Sequence, residues 1–244
     1  MRWVDGQVSL EDSVDMPHPA AGRRLRESFL PGISALTLGL VHARDGALLL
    51  GPLELLRFGQ PKVSGTRVEW PIEGGALARA PGGTWRLHSS GGRLVASVEG
   101  YRPSLPPAVY AVTQLPLHHL LTRLYLLRLR GRQPAAGATA SSSDRLRAAA
   151  IDVAFCATLA GLIGRRRRVR TMLGIAVAYH VTCWSLSGRT LGGMVMRQRV
   201  VAVDGSRMSP SQAMLRFLAL PIAWMRGRPD QDEIACTVVI TVRP

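Results

Sequence analysis

Two apolar runs joined by a block of arginines constrain this chain more than any other feature. Residues 148–164 carry one formal charge, residues 171–187 carry none, and "RRRRVR" lies between them. At ~1.5 Å per residue, a 17-residue helix spans about 25 Å. That is short of a ~30 Å hydrocarbon core but at the lower limit for a crossing. Arginines at the ends extend the reach by snorkelling to the headgroups. We expect a membrane helical hairpin with helices over 148–164 and 171–187; the alternative is a buried hairpin in a soluble domain.

An acid stands inside the first run. Left ionised and unpaired in lipid, Asp152 would cost roughly 2.5–3.5 kcal/mol on insertion scales. It must therefore face protein, water or a cation. Arg145 lies on the same face but about two turns, or ~10 Å, away. A partner from another element is expected: Arg216, His180 or Arg189. Such a group is either an ion or proton site or a buried polar pair that only orients helices. His180 and Cys183 share a helix face, but two ligands do not make a metal site. No metal and no cofactor are expected.

The chain has a net charge of +15, and of its 31 basic residues only Lys62 is a lysine. Arginine forks suit phosphate and carboxylate, so an anionic partner is implied. Residues 134–244 carry 15 basic and 6 acidic side chains, against 16 and 10 in residues 1–133. The more basic part also holds the apolar runs, which favours a membrane surface over nucleic acid. Arg165, Arg166, Arg167, Arg168 and Arg170 are read as binding anionic headgroups. The three cysteines sit in apolar stretches and read as small buried hydrophobes, not a disulfide framework.

Residues 133–143, "QPAAGATASSS", read as a flexible linker. Residues 1–132 before it read as an α+β domain without a signal-peptide core. "GQVSLEDSVDM" suits a first strand and "AAGRRLRESFL" a short helix. "TRVEWPI", "TWRLHSS" and "RLVASVEGY" are strands separated by glycine turns. Val109, Val112, Leu117, Leu120, Leu121, Leu124 and Leu127 recur at helical spacing after Pro106 and Pro107. This predicts a long closing helix with a kink at Pro116. The expected fold is thus an antiparallel sheet with a long C-terminal helix, followed by an all-α membrane hairpin domain over 144–244. The order of elements over residues 7–132 resembles the START-like polyketide-cyclase superfamily, the helix-grip fold. That resemblance implies an apolar cavity for a hydrophobic ligand; the alternative is a filled core.

The C-terminal residues carry a second resemblance. "RLRAAAID", with Arg145, Ala148 and Asp152, is followed by "SGRTLGGMVMRQRVVAVDGSRMSPSQAMLRFLA". The latter holds a glycine-x-threonine-x-glycine turn (Gly188, Thr190, Gly192), an Asp204–Gly205 turn and Arg216. "DEIACTVVI" then supplies Asp232 and Thr237. In this order the motifs resemble the RDD family of small bacterial membrane proteins over about residues 144–241. The resemblance implies a polar membrane site of Arg145, Asp152, Arg216 and Asp232, with Gly188, Thr190, Gly192 and Thr237 in turns and packing. Gly193 stands where the family often has lysine, and the stretch between Arg216 and Asp232 is too short for a third crossing. We expect two crossings plus an interfacial helix over 210–226.

The functional expectation is a multi-pass cell-membrane protein of RDD type, both termini cytoplasmic. Its polar site would serve transport of ions or small solutes. One alternative is a membrane-anchored module for a hydrophobic ligand or lipid; another is a basic soluble nucleic-acid-binding protein. Residues rich in small side chains suit homo-oligomers. No nucleophile elbow, metal-ligand spacing or phosphate loop is present, so no enzyme is expected.

Overall fold

The computed structural model describes residues 2–163, 168–227 and 230–242. The chain divides into two compact units, Met1–Arg130 and Gly131–Pro244. In the N-terminal unit, strands β1 (Arg2–Val4) and β2 (Gln7–Asp15) precede helix α1 (Gly22–Leu36). Strands β3 (Val41–Arg44), β4 (Ala47–Leu50), β5 (Leu53–Phe58), β6 (Lys62–Ser64), β7 (Arg67–Gly74), β8 (Thr84–Ser90) and β9 (Arg93–Tyr101) follow. Helices α2 (Pro107–Val112) and α3 (Gln114–Arg130) close it.

The strands form one antiparallel sheet in the order β1-β2-β9-β8-β7-β5-β4-β3, with β6 on β7. The long first strand β2 thus pairs with the last, β9. Two tight hairpins turn on Asp5–Gly6 and Asp45–Gly46, all four residues with positive φ, as type I′ turns require. Phe29 of α1 anchors the core. Its ring lies within 4.9–5.8 Å of Phe58, Trp70, Trp85 and Tyr125. His119 on α3 meets Asp12 of β2 at 2.8 Å. The expected single closing helix is divided at Thr113, before the expected kink at Pro116.

The C-terminal unit is helical but not all-α. Helices α4 (Ser142–Ile163), α5 (Arg168–Leu186) and α6 (Leu191–Val195) lead to strand β10 (Gln198–Ala202). Helices α7 (Pro210–Leu218), α8 (Leu220–Arg226) and α9 (Asp230–Ile234) lead to strand β11 (Thr237–Thr241). The strands pair antiparallel, from Gln198↔Thr241 to Ala202↔Thr237. Both are rich in valine, which suits a pleated surface. Where one helix is expected over 210–226, the chain forms α7 and α8, because Pro221 has no N–H to continue the ladder.

Residues 133–143 are not free throughout. Thr139 bridges to Ile240, Ala140 N donates to Val239 O, and Thr241 N donates to Ala138 O. Ser141 caps α4, accepting from Asp144 N at 3.1 Å.

α4 buries a single stripe, Ala148, Asp152, Cys156 and Ala160, one residue per turn. Among the described residues α4 alone is long and apolar enough to cross a membrane, and only 22% of its apolar window is buried. A core helix of a soluble domain would be mostly covered, so this surface asks for lipid or another apolar partner.

Candidate functional site

Two polar clusters lie in the C-terminal unit. The first centres on Asp232 in the opening turn of α9. Arg145, in the first turn of α4, donates through Nη2 to Asp232 Oδ2. Arg216 of α7 donates through Nη1 to Asp232 Oδ1 and to Thr237 Oγ1 at 2.5 Å. Thr237 Oγ1 in turn donates to Asp232 Oδ1 at 3.0 Å. Arg216, Asp232 and Thr237 are each at most 5% exposed. Such a triad is stable only because each charge finds a partner as it leaves water.

Local structure delivers each group. Ser209 caps α7, accepting from Gln212 N at 3.2 Å, and Pro210 presets the first turn. Arg216 then lies two turns in on the buried face, its guanidinium carbon 5.1 Å from the centre of the Trp184 ring. Cys236, with φ of 50°, turns the chain from α9 into β11 and sets Thr237 beside Asp232. Gln212 Nε2 donates to Ala235 O at 2.7 Å and holds α7 to this turn. Burial pushes the Arg216 guanidinium down to about 9, and the like charge of Arg145 acts in the same direction. That value is still above neutral pH, so the cation facing Asp232 persists. From outside, Arg132 extends Nη1 and Nη2 to the carbonyls of Thr237 and Asp232 at 3.5 and 3.4 Å.

The second cluster surrounds Asp152, seven residues along α4 and so ~10 Å from Arg145. Its Oδ1 accepts from Tyr179 Oη and from Gly192 N, both at 2.8 Å. Its Oδ2 faces His180 Nε2 at 4.0 Å. Tyr179 Oη also accepts from Leu191 N at 2.6 Å. His180 is fixed by Nδ1 against Ala176 O at 2.8 Å. Its ring packs on Tyr179, Trp184 and Phe217, and so links the two clusters.

The turn after α5 explains why its residue types are needed. A Cβ on Gly192 would lie 2.0 Å from Ala148 O, and one on Gly188 would lie 2.5 Å from Val200 O. Thr190 caps α6, accepting from Gly193 N at 3.1 Å. The glycines let backbone approach backbone, and this closeness brings the Gly192 amide to Asp152.

The structure therefore brings Arg145, Arg216, Asp232 and Thr237 together, and sets Asp152 apart with Gly192. Of the partners expected for Asp152, His180 is near, while Arg216 pairs with Asp232 instead and Arg189 makes no ion pair among the described residues. Tyr179 and Trp184 escaped the sequence reading. Tyr179 precedes His180 and lies one turn from Cys183, a position that signals the same face only after the partner helix is known. Arg165, Arg166 and Arg167, and the side chain of Arg168, lie outside the described residues; Arg170 is exposed.

Residues 169–241 match the RDD family. The match opens within α5 and runs to the end of β11, so it contains Arg216, Asp232, Thr237 and the Gly188–Gly192 turn, while Arg145 and Asp152 precede it. No curated protein and no solved structure matches the chain. The family match and the apolar surface of α4 together support a membrane protein. Over residues 169–241, the C-terminal part of this chain is similar to the RDD family.

Proposed function

We propose that the chain is a multi-pass membrane protein in which α4 and α5 cross the bilayer as a hairpin, with both termini cytoplasmic. In this reading its interior serves the movement of ions or small solutes. The observation that carries the reading is the environment of Asp152. This buried carboxylate receives two hydrogen bonds from neutral donors, and among the described residues its second oxygen approaches one ionisable group, His180, at 4.0 Å. A carboxylate held in an apolar helix without an arginine partner suits a proton or a small cation. The Asp232 cluster braces the end of the hairpin. Two helices enclose no passage alone, so the reading includes association of several copies.

The test is reconstitution of the full chain in proteoliposomes with a pH-sensitive dye and sodium or potassium gradients. The wild type is expected to pass protons or cations, and Asp152→Asn to lose this while still requiring detergent for extraction. Equal fluxes for the two proteins would refute the transport reading and leave an anchor. Release by carbonate without detergent would refute the membrane reading itself.

A second reading, a membrane-anchored module for a hydrophobic ligand, is favoured by two features of the N-terminal unit. β2 closes against β9 with α3 on the sheet, and Trp85 Nε1 and Gln114 Oε1 are buried without partners. The aromatic cluster around Phe29 counts against it, since those rings occupy the space between helix and sheet. The large exposed apolar area of α4 counts against a soluble nucleic-acid binder.

A further inference from the structure

The Asp232 cluster has more positive charge than its carboxylate can neutralise. Arg132, Arg145 and Arg216 all approach Asp232 or its backbone. Among the described residues no other acid pairs with them: Asp144 pairs with Arg147 and Asp230 with Arg226, and Glu233 is exposed. Three guanidinium groups thus share one carboxylate. Each carries five N–H donors. Arg145 spends one on Asp232 and keeps a side chain 26% exposed. Arg132 is exposed and reaches only carbonyls, at 3.4–3.5 Å. Arg216 Nε is buried with no acceptor. Arg132 and Arg145 thus keep N–H donors and uncompensated charge that an anion reaching this edge can take up.

The surroundings say which anion. Planar guanidinium forks match tetrahedral phosphate oxygens two at a time. The cluster lies at the start of α4, where a crossing helix meets the headgroups. α8, which packs on α9, exposes Trp224 at 87% and Met225 at 74%. A tryptophan beside Arg226 in a short exposed helix is the residue type that settles at the membrane–water boundary.

We propose that Arg132 and Arg145, braced by Arg216 and Asp232, form a binding site for a phosphate group, carried by an anionic lipid headgroup or by free phosphate. This site lies at the start of α4, at the end remote from Ile163. The proposal rests on the membrane reading only for the lipid source.

The experiment uses the full-length protein in a neutral detergent, with thermal unfolding followed by tryptophan fluorescence. Inorganic phosphate is titrated against chloride at constant ionic strength. In parallel, phosphatidylglycerol or phosphatidylcholine is added to the micelles. A rise in Tm with phosphatidylglycerol but not phosphatidylcholine, or with phosphate but not chloride, is expected. The first alone identifies the lipid as occupant, the second alone free phosphate. Arg132→Gln should raise the half-saturating concentration about tenfold, as loss of a charge-assisted contact implies. Arg132→Lys should retain part of the response, and Arg147→Gln, on the same end but paired with Asp144, all of it. No response to either probe overturns the proposal. So does an equal loss in Arg132→Gln and Arg147→Gln, which would mark general surface charge. Failure of ion flux in liposomes would leave this site untouched.

Discussion

Replacing Gly192 by alanine tests the packing that holds Asp152. The new Cβ would sit 2.0 Å from Ala148 O, 2.7 Å from its carbonyl carbon and 2.9 Å from its Cα. All three are backbone atoms, so no side chain can rotate aside. Restoring ordinary contact at 3.4 Å or more needs α6 to retreat from α4 by more than an ångström. Overpacking of this kind costs about 1–3 kcal/mol. The same retreat stretches the 2.8 Å bond from Gly192 N to Asp152 Oδ1 beyond hydrogen-bonding range, which costs about 1.5–3 kcal/mol for a charged acceptor. Together the two effects amount to about 2.5–6 kcal/mol. Gly193→Ala meets Thr190 Oγ1 at 3.2 Å and Gln198 O at 3.3 Å and should cost well under half as much. Gly174→Ala, on α5 with nothing within 4 Å, should be neutral or slightly stabilising. Thermal unfolding of the three variants in detergent gives the order directly. A Gly192→Ala protein as stable as Gly174→Ala would refute the close approach and the account of Asp152 built on it.

Other substitutions probe the remaining contacts. Asp232→Asn leaves Arg145 and Arg216 without a counter-charge and should destabilise by about 3–5 kcal/mol, read as a lowered Tm in detergent and faster proteolysis after α7. Tyr179→Phe takes a donor from Asp152 and an acceptor from Leu191 N and should cost about 1–3 kcal/mol with membrane extraction unchanged. Phe29→Ala should cost about 3–5 kcal/mol in the N-terminal unit, seen as lost near-ultraviolet circular dichroism from Trp70 and Trp85. The N-terminal unit should also lose stability in acid. Burial against Trp85 pushes His118 down to about 4, despite the opposing charge of Asp12. The unfolded chain takes up this proton near pH 6.5 and the folded one does not. The contribution is therefore complete above pH 6.5 and lost as pH falls toward 4, on the order of 3 kcal/mol in full. Hydrogen exchange of β8 amides between pH 4 and 8 measures it, and His118→Gln should flatten the profile.

Much of the C-terminal unit was legible because hydropathy and spacing are local signals. The two long helices and the Gly188–Thr190–Gly192 turn all follow from neighbouring residues. What escaped was pairing across sequence. "QRVVA" and "TVVIT" each have strand composition, yet the pair that makes them a sheet is separated by three helices. The partners of Asp152 are a tyrosine on another helix and a backbone amide, and an amide leaves no mark in residue type. In the N-terminal unit, the Asp5–Gly6 and Asp45–Gly46 hairpins were written plainly in Asp-Gly dipeptides. They were missed because β1, before Asp5–Gly6, has only three residues, and β3 and β4, either side of Asp45–Gly46, have only four each. α1 continues past Pro31 to Leu36, since packing of its buried face outweighs the one backbone bond that proline removes.

The separation of Arg145 from Asp232 by 87 residues also orders events during synthesis. Arg145 and the apolar helix behind it leave the ribosome, and in the proposed reading enter the membrane, before their carboxylate exists. Until α9 and β11 are made, the hairpin carries a bare arginine at its mouth and a Gln212 with no Ala235 carbonyl to hold. In the proposed membrane reading, insertion therefore proceeds on hydropathy alone, and the turn from α9 into β11 fastens what is already in place. A ribosome halted before Asp232 would leave a membrane protein inserted but unlocked.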